Sequence, residues 1–381
     1  MERKYVYFQP QYFGEFICDS SRCNSNCCER GWNIDIDEAT YQKYLRCLPQ
    51  AAELFKYSAS KKKYLLTKHP CPFLTEKKLC RLQLEHGEDF LSSTCRSYPR
   101  VTNYFGQFFE RALTLTCPLA AQMILLLEEP LSFELVEVAE KVFDDKIIVN
   151  PVNLDEKIMA HVVEIQVAMI SILQERTLTL DQRLIVLGFF LDRLDEIFSA
   201  EPFDAAALIK LISAYESKRF LAEQVPRLLR AVKFDAKKFT ALMFELADKF
   251  YGVSNFTDAV SKIAASGDKL KNFKKNFLSE HATFLENFLV NELFINCYPW
   301  RFDGDIIRNF GVFVIKYKIF ELTLFLAALK NPLGAGELIE LTDWFATQFD
   351  HVEAYHRQIF EYLRGRDDAL DLMESLLEGD L

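Results

Sequence analysis

From about residue 120 onward, apolar positions recur at helical spacing. Ile158, Val162, Ile165, Ala168, Met169, Ile172 and Leu173 fall on one face of period 3.6, which predicts an amphipathic helix. The same pattern runs through 182–198, 205–232, 236–251, 277–295, 305–329 and 336–363, with Asn331-Pro332 breaking the chain before the last stretch. Asp181, Asp204, Asp235 and Thr342 stand where caps or first-turn residues belong. No Asn-Gly or Asp-Gly turn lies between alternating apolar runs, so no β-hairpin is signalled, and no internal repeat is found. Before residue 120 the pattern is irregular: aromatic residues, short apolar stretches and turn residues, which predict loops and short helices held by something other than a large core. The expected fold is mainly α, with an irregular, cysteine-rich, metal-binding N-terminal region (1–120) packed on an all-helical domain (121–381).

Composition narrows the class. A chain of 381 residues has material for about two domains. With 50% apolar residues and only 13 Gly and 12 Pro, it is neither disordered nor collagen-like. Its most apolar run, Ala112 to Leu127, is interrupted by Thr114, Thr116, Pro118 and Gln122 and falls short of the roughly 20 residues of a membrane span. No membrane association is therefore expected. Met1 to Phe16 has no apolar core of a secretory signal, and the cytoplasm is the default compartment.

Two asymmetries divide the chain. Nine of ten cysteines (18, 23, 27, 28, 47, 71, 80, 95 and 117) lie in the first 117 residues, and only Cys297 lies beyond. The net charge is about +4 over 1–120 and −14 over 121–381. Clustered thiols in a cytosolic chain of this size point to metal ligation or catalysis rather than disulfides. In a helical turn Cys23 and Cys27 would share a face, whereas Cys28 would point about 100° away, so the adjacent pair is suited to two different jobs.

The candidate ligands are Cys18, Cys23, Cys27, Cys28, Cys71, Cys80, Cys95 and Cys117. Soft thiolates in this number fit zinc or an iron–sulfur cluster, whereas calcium and magnesium prefer oxygen. The competing reading is a set of reduced cysteines buried as small apolar side chains. Cys47 and Cys297, isolated among apolar or aromatic neighbours, are read as structural, and His69 beside Pro70-Cys71 as a solvated loop residue.

Phe16-x-Cys18, the run Cys27-Cys28-x-x-Gly31-Trp32-x-Ile34-x-Ile36-Asp37 with Thr40-Tyr41, Cys71-Pro-Phe-Leu, Cys80, Cys95-x-x-Tyr98-Pro99-Arg100 and Cys117-Pro118 resemble the bacterial flagellin lysine-N-methylase family. That family is related to a wider cysteine-rich family thought to bind zinc or an iron–sulfur cluster. Asn291 to Phe302, with Asp305, resembles the same family's helical segment ending in an aromatic-proline turn. The resemblance implies S-adenosylmethionine-dependent methylation of lysine ε-amino groups on flagellin, with an iron–sulfur cluster, 4Fe–4S in type, and zinc as the alternative. Arg30 stands where the third cysteine of the Cys-x3-Cys-x2-Cys pattern of radical enzymes would fall.

Methyl transfer to lysine needs a neutral amine, although free lysine has a pKa of about 10.4. Tyr41, Tyr98, Asp35 and Asp37 are the candidate groups to take the proton, and each reads equally as a cap or surface residue. The glycine-rich turn of doubly wound methyltransferases is missing: the one Gly-x-Gly, Gly334-Ala-Gly336, precedes a helical stretch. The runs Lys61-Lys62-Lys63 and Lys77-Lys78 lack the aromatic interleaving of single-strand binders, so nucleic acid is not expected as a partner. Two rival functions remain open, a zinc-stabilised interaction module and an iron–sulfur redox protein.

Overall fold

A computed structural model describes residues 4–19, 23, 27–106, 108–138, 150–152, 154–250, 272–350, 353–366 and 368–377. By its internal contacts the chain forms two compact units, one of Met1–Met123 with Ser132–Pro151, the other of Ile124–Leu131 with Val152–Leu381.

The first unit holds two sheets. Strands β1 (Tyr5–Pro10), β5 (Arg100–Tyr104), β6 (Phe109–Leu113), β7 (Phe133–Val138) and β8 (Asn150–Pro151) assemble in the order β7-β1-β6-β5-β8. β1 runs antiparallel to β7, with Tyr5 opposite Val138, and parallel to β6, with Tyr7 opposite Phe109. The buried rings of Tyr7 and Phe109 stack at 5.3 Å. The second sheet, β2 (Ile34–Ile36), β3 (Phe55–Ser58) and β4 (Lys63–Leu66), is antiparallel in the order β2-β4-β3. Short helices α1 (Tyr12–Glu15), α2 (Glu38–Cys47), α3 (Arg81–His86), α4 (Ser93–Ser97) and α5 (Pro118–Leu125) complete the set. Ile36, Tyr44, Phe55, Leu66, Phe73, Leu82 and Leu91 form the core over the small sheet.

The second unit is helical: α6 (Glu156–Met159), α7 (Val162–Leu173), α8 (Leu180–Ser199), α9 (Ala205–Glu216), α10 (Lys218–Ala231), α11 (Ala236–Phe250), α12 (Ala282–Ile295), α13 (Ile306–Ala328), α14 (Ala335–Asp350), α15 (Glu353–Arg364) and α16 (Ala369–Glu374). Residues on every side of α13 are buried, as befits a central helix, and α8, α14, α15 and α16 pack on it. Gly311 allows the approach of α15: a Cβ there would stand 2.5 Å from Leu363 Cδ1. α8 starts with a capping box in which Thr179 and Gln182 exchange side-chain and backbone hydrogen bonds. Asp204 and Asp235 accept backbone N–H groups at the starts of α9 and α11.

The C-terminal helices follow the periodicity, and three expectations need correction. The N-terminal region is not merely loops and short helices: β3 with β4 and β5 with β6 form local antiparallel pairs, while β1 pairs with β6 and β7 across about a hundred residues or more, which leaves no local trace. The stretch Ser132–Pro151, read with the helices, carries β7 and β8 and groups with the first unit. Thr342 is no cap: it lies inside α14 and donates its hydroxyl to the Leu338 carbonyl at 2.8 Å.

Candidate functional site

The eight candidate cysteines all lie in the first unit, most of them on or beside elements that fix their backbones, while Cys18 and Cys23 lie on no helix or strand and the Cys23 thiol contacts the Asp19 carbonyl at 3.8 Å. Phe16, two residues before Cys18, is buried, and the Arg100 guanidinium donates to its carbonyl at 3.0 Å. Cys27 and Cys28 open a single tight turn, Cys27–Glu29, and the Cys28 carbonyl accepts the Cys71 N–H at 2.8 Å. Cys80 pairs with Leu74 in an isolated β-bridge and precedes α3. Cys95 lies in α4, where Ser92 accepts its N–H at 3.3 Å, while the Ser92 N–H donates to the Tyr44 hydroxyl at 2.9 Å. Cys117 leads into α5, and its carbonyl accepts the Ala121 N–H at 2.8 Å.

The sulfurs act on one another. Cys28 is in thiol hydrogen-bond contact with Cys27 and Cys71, which holds the Cys28 thiol protonated and favours the thiolate at the other two. Hydrogen bonding from Cys28 lowers Cys71 to about 7. Burial pushes the Cys117 thiol up to about 12, with Cys23 and Cys18 adding to the shift. Cys80 is raised by burial, and Cys71 and Cys27 lie within its electrostatic reach. Thiols that ionise in this way are the donors a thiophilic metal takes. The all-sulfur donor set therefore fits zinc or an iron–sulfur cluster. Among the described residues, no three His, Cys, Asp or Glu side chains stand together in a group that could hold a metal ion.

The four proton-acceptor candidates are placed as follows. Tyr98 lies within electrostatic reach of Cys117 and Cys27. Its hydroxyl donates to the Thr116 carbonyl at 2.7 Å, its ring meets Trp32 edge-on at 5.5 Å, and burial raises its pKa well above the usual phenol range. Tyr41 stacks on Tyr64 at 3.6 Å. Asp37 caps α2, accepting the Thr40 N–H at 2.7 Å, and Asp35 pairs with Lys61 at 3.1 Å. His69 sits beside Gly31, whose φ of +80° favours glycine, and His86 packs on Phe90. Cys297 is buried beside Phe294, Tyr298 and Trp300, whereas Cys47 is exposed at the end of α2, outside the apolar surroundings expected for it.

Arg30 and Arg100 were given no role beside the cysteines in the sequence reading. The Arg30 guanidinium lies over Trp32 at 5.4 Å and its charge favours the Cys27 thiolate, as Arg100 does for Cys18. The spacing Cys95-x-x-Tyr98-Pro99-Arg100 carried the residue, but the contact with Phe16 joins positions 84 apart.

The second unit holds a buried set of charges. Glu286, on α12, accepts from Arg183 at 2.7 Å and from Arg176 at 2.9 Å. Lys316 pairs with Glu292, and Lys318 with Asp181 and Glu321, all inside the helical core. The segment 166–377, more than half of the chain and wholly within this unit, matches the family described as FliB lysine N-methylase C-terminal domain. The chain belongs to the FliB lysine N-methylase family. Among its FliB relatives is a lysine-N-methylase of Salmonella choleraesuis (strain SC-B67), 32% identical over 131 residues, covering 31% of this chain and 32% of the relative. The flagellar biosynthetic protein FliU of Salmonella muenchen is 32% identical over 129 residues, covering 31% of this chain and 75% of the relative. A lysine-N-methylase of Salmonella typhimurium (strain LT2) is 32% identical over 129 residues, again 31% of this chain and 32% of the relative. The matched stretch thus spans about a third of the length of each lysine-N-methylase. No solved structure matches the chain. Among the described residues no helix is long and apolar enough to cross a membrane.

Proposed function

We propose that this protein transfers methyl groups from S-adenosylmethionine to lysine ε-amino groups of flagellin, with a cysteine-ligated cluster, 4Fe–4S or zinc, in its first unit. Membership of the FliB lysine N-methylase family carries the reading. The gathered thiols of Cys18, Cys23, Cys27, Cys28, Cys71, Cys80, Cys95 and Cys117 would hold the metal, and Arg30 and Arg100 would offset the thiolate charge on Cys27 and Cys18. When bound, S-adenosylmethionine supplies an electrophilic methyl group on a sulfonium sulfur.

The reaction breaks the sulfur–methyl bond, leaving a neutral thioether, and forms a nitrogen–methyl bond on the substrate lysine, whose proton passes to solvent. The protein's task is to present that amine neutral. Desolvation lowers an ammonium pKa, and the Trp32–Tyr98 pair beside the cysteines offers an apolar surface against which a lysine stem would pack. Tyr98 is held as a hydroxyl donor by Thr116 and by its burial, which suits it to positioning rather than to taking the proton. The negative balance of the chain beyond residue 120 would attract a lysine-bearing surface.

The test is coproduct formation. Protein with its metal retained, S-adenosylmethionine and flagellin should yield S-adenosylhomocysteine only when all three are present. Metal-replete protein that leaves flagellin unmodified would favour the interaction-module reading.

A further inference from the structure

The core face of the small sheet runs outward into tyrosine. Strand alternation puts Phe55 and Tyr57 of β3 and Tyr64 and Leu66 of β4 on that face, with Phe55 opposite Leu66 and Tyr57 opposite Tyr64 at the turn end of the hairpin. Phe55 and Leu66 are buried, Tyr64 is half-buried, and Tyr57 is 58% exposed. α2 lies over the same face: the half-buried Tyr41 stacks on Tyr64 at 3.6 Å and meets Phe55 edge-on at 5.5 Å. The Tyr57 ring stands at 64° to that of Tyr64, their centroids 5.2 Å apart, so the two make the walls of a corner that Tyr41 backs. Glu38 lies three residues before Tyr41, on the same side of α2, and its exposed carboxylate accepts the Tyr64 hydroxyl. Lys56 and Lys63 alternate to the opposite face of the sheet, and Lys61 pairs at 3.1 Å with Asp35, which that opposite face also carries.

We infer that Glu38, Tyr41, Tyr57 and Tyr64 form a recognition site for a methylated lysine side chain of the protein substrate. The inference rests on the lysine-methylation reading for its ligand, and adds that the product of that reaction is held by residues other than the thiols and the Trp32–Tyr98 pair. The face of an aromatic ring is electron-rich and attracts an ammonium group within about 6 Å of its centroid. Each methyl group on the nitrogen replaces an N–H that water would hold, so a methylated ammonium leaves water more readily than the parent ion. Its methyl groups then pack on the rings, and the Glu38 carboxylate answers its charge. An unmodified ammonium has three donors to satisfy, for which the ring faces provide no acceptor. The lysine stem needs only apolar surface, which the exposed Tyr57 ring supplies.

The experiment titrates the full chain, without S-adenosylmethionine, into glycine-flanked peptides that differ in one side chain: lysine, Nε-trimethyl-lysine, or the neutral analogue with carbon in place of the trimethylated nitrogen. Binding is read from the broadening of the peptide proton resonances. The trimethyl-lysine peptide should bind about tenfold more tightly than either of the others. Tyr57→Leu, which keeps apolar bulk without a ring, and Glu38→Gln should each remove most of that preference, whereas Tyr57→Phe should keep it. Both positions are exposed, and circular dichroism of each variant checks that the fold is retained. Equal affinity for the trimethyl-lysine peptide and its neutral analogue would reveal an apolar surface alone and overturn the inference, as would a preference unchanged in Tyr57→Leu. Flagellin methylated by a protein that binds none of the peptides would overturn the inference and keep the methylation reading. Selective binding by a protein that leaves flagellin unmethylated would overturn that reading and keep the site.

Discussion

Single side chains in the helical unit carry consequences that their neighbours define. Glu286 is 1% exposed and answers two arginines, of which Arg183 is itself buried. Removing its charge leaves Arg183 ionised in the core, the situation that costs about 3–5 kcal/mol when one partner of a buried pair is lost. Glu286→Gln should therefore lower the denaturant midpoint well below that of the parent, and a loss under about 1 kcal/mol would show that water reaches the pair. His356 is fully buried, and burial together with Lys316 and Arg301 holds its pKa well below the ordinary 6.5. The unfolded chain then binds a proton that the folded chain refuses. Stability from this group is complete above about pH 6.5 and is lost as pH falls. His356→Leu should flatten the decline in stability between about pH 7 and pH 5, and an unchanged slope would assign the decline to other groups. Residues of this kind were not legible in the sequence, since a Glu or Lys within a helical pattern reads as a solvated face until its partner helix is known.

Elements were legible where the signal is local. The helices of the second unit follow the 3.6 period, and the breaks that were missed have local causes: Ser217, for example, caps α10 by accepting the Phe220 N–H and so divides the stretch read as continuous from 205 to 232. The hairpin of β3 and β4 was missed because its left-handed turn position is Lys62, φ +52°, rather than Asn or Gly. β7 was missed because its partner β1 lies more than a hundred residues away. The Thr179–Gln182 capping box at the start of α8 is a feature the sequence could have yielded, three residues apart ahead of an apolar run. Thr179→Ala should cost about 1 kcal/mol of stability, read as a drop in melting temperature, with Thr179→Ser restoring most of it. Equal losses in both variants would place the effect in packing rather than in the cap.

At the scale of the molecule, the identities of the cysteines were legible and their arrangement was not. Nine thiols in the first 117 residues mark the region on composition alone. The contacts that gather them, Cys71 to Cys28 and Arg100 to Phe16, depend on how two sheets place distant loops. Membership of the FliB lysine N-methylase family comes from the other unit, where the matched segment 166–377 lies. The proposed methylation of lysine rests on the family signature of the helical unit and on the thiols of the first unit. The most direct measurement is the mass of flagellin after incubation with metal-replete protein and S-adenosylmethionine labelled in its methyl group. The account predicts labelled increments of single methyl groups, mapped to lysine side chains and lost when Cys71→Ser replaces the parent protein. Flagellin that keeps its mass, or label that appears on residues other than lysine, would contradict it.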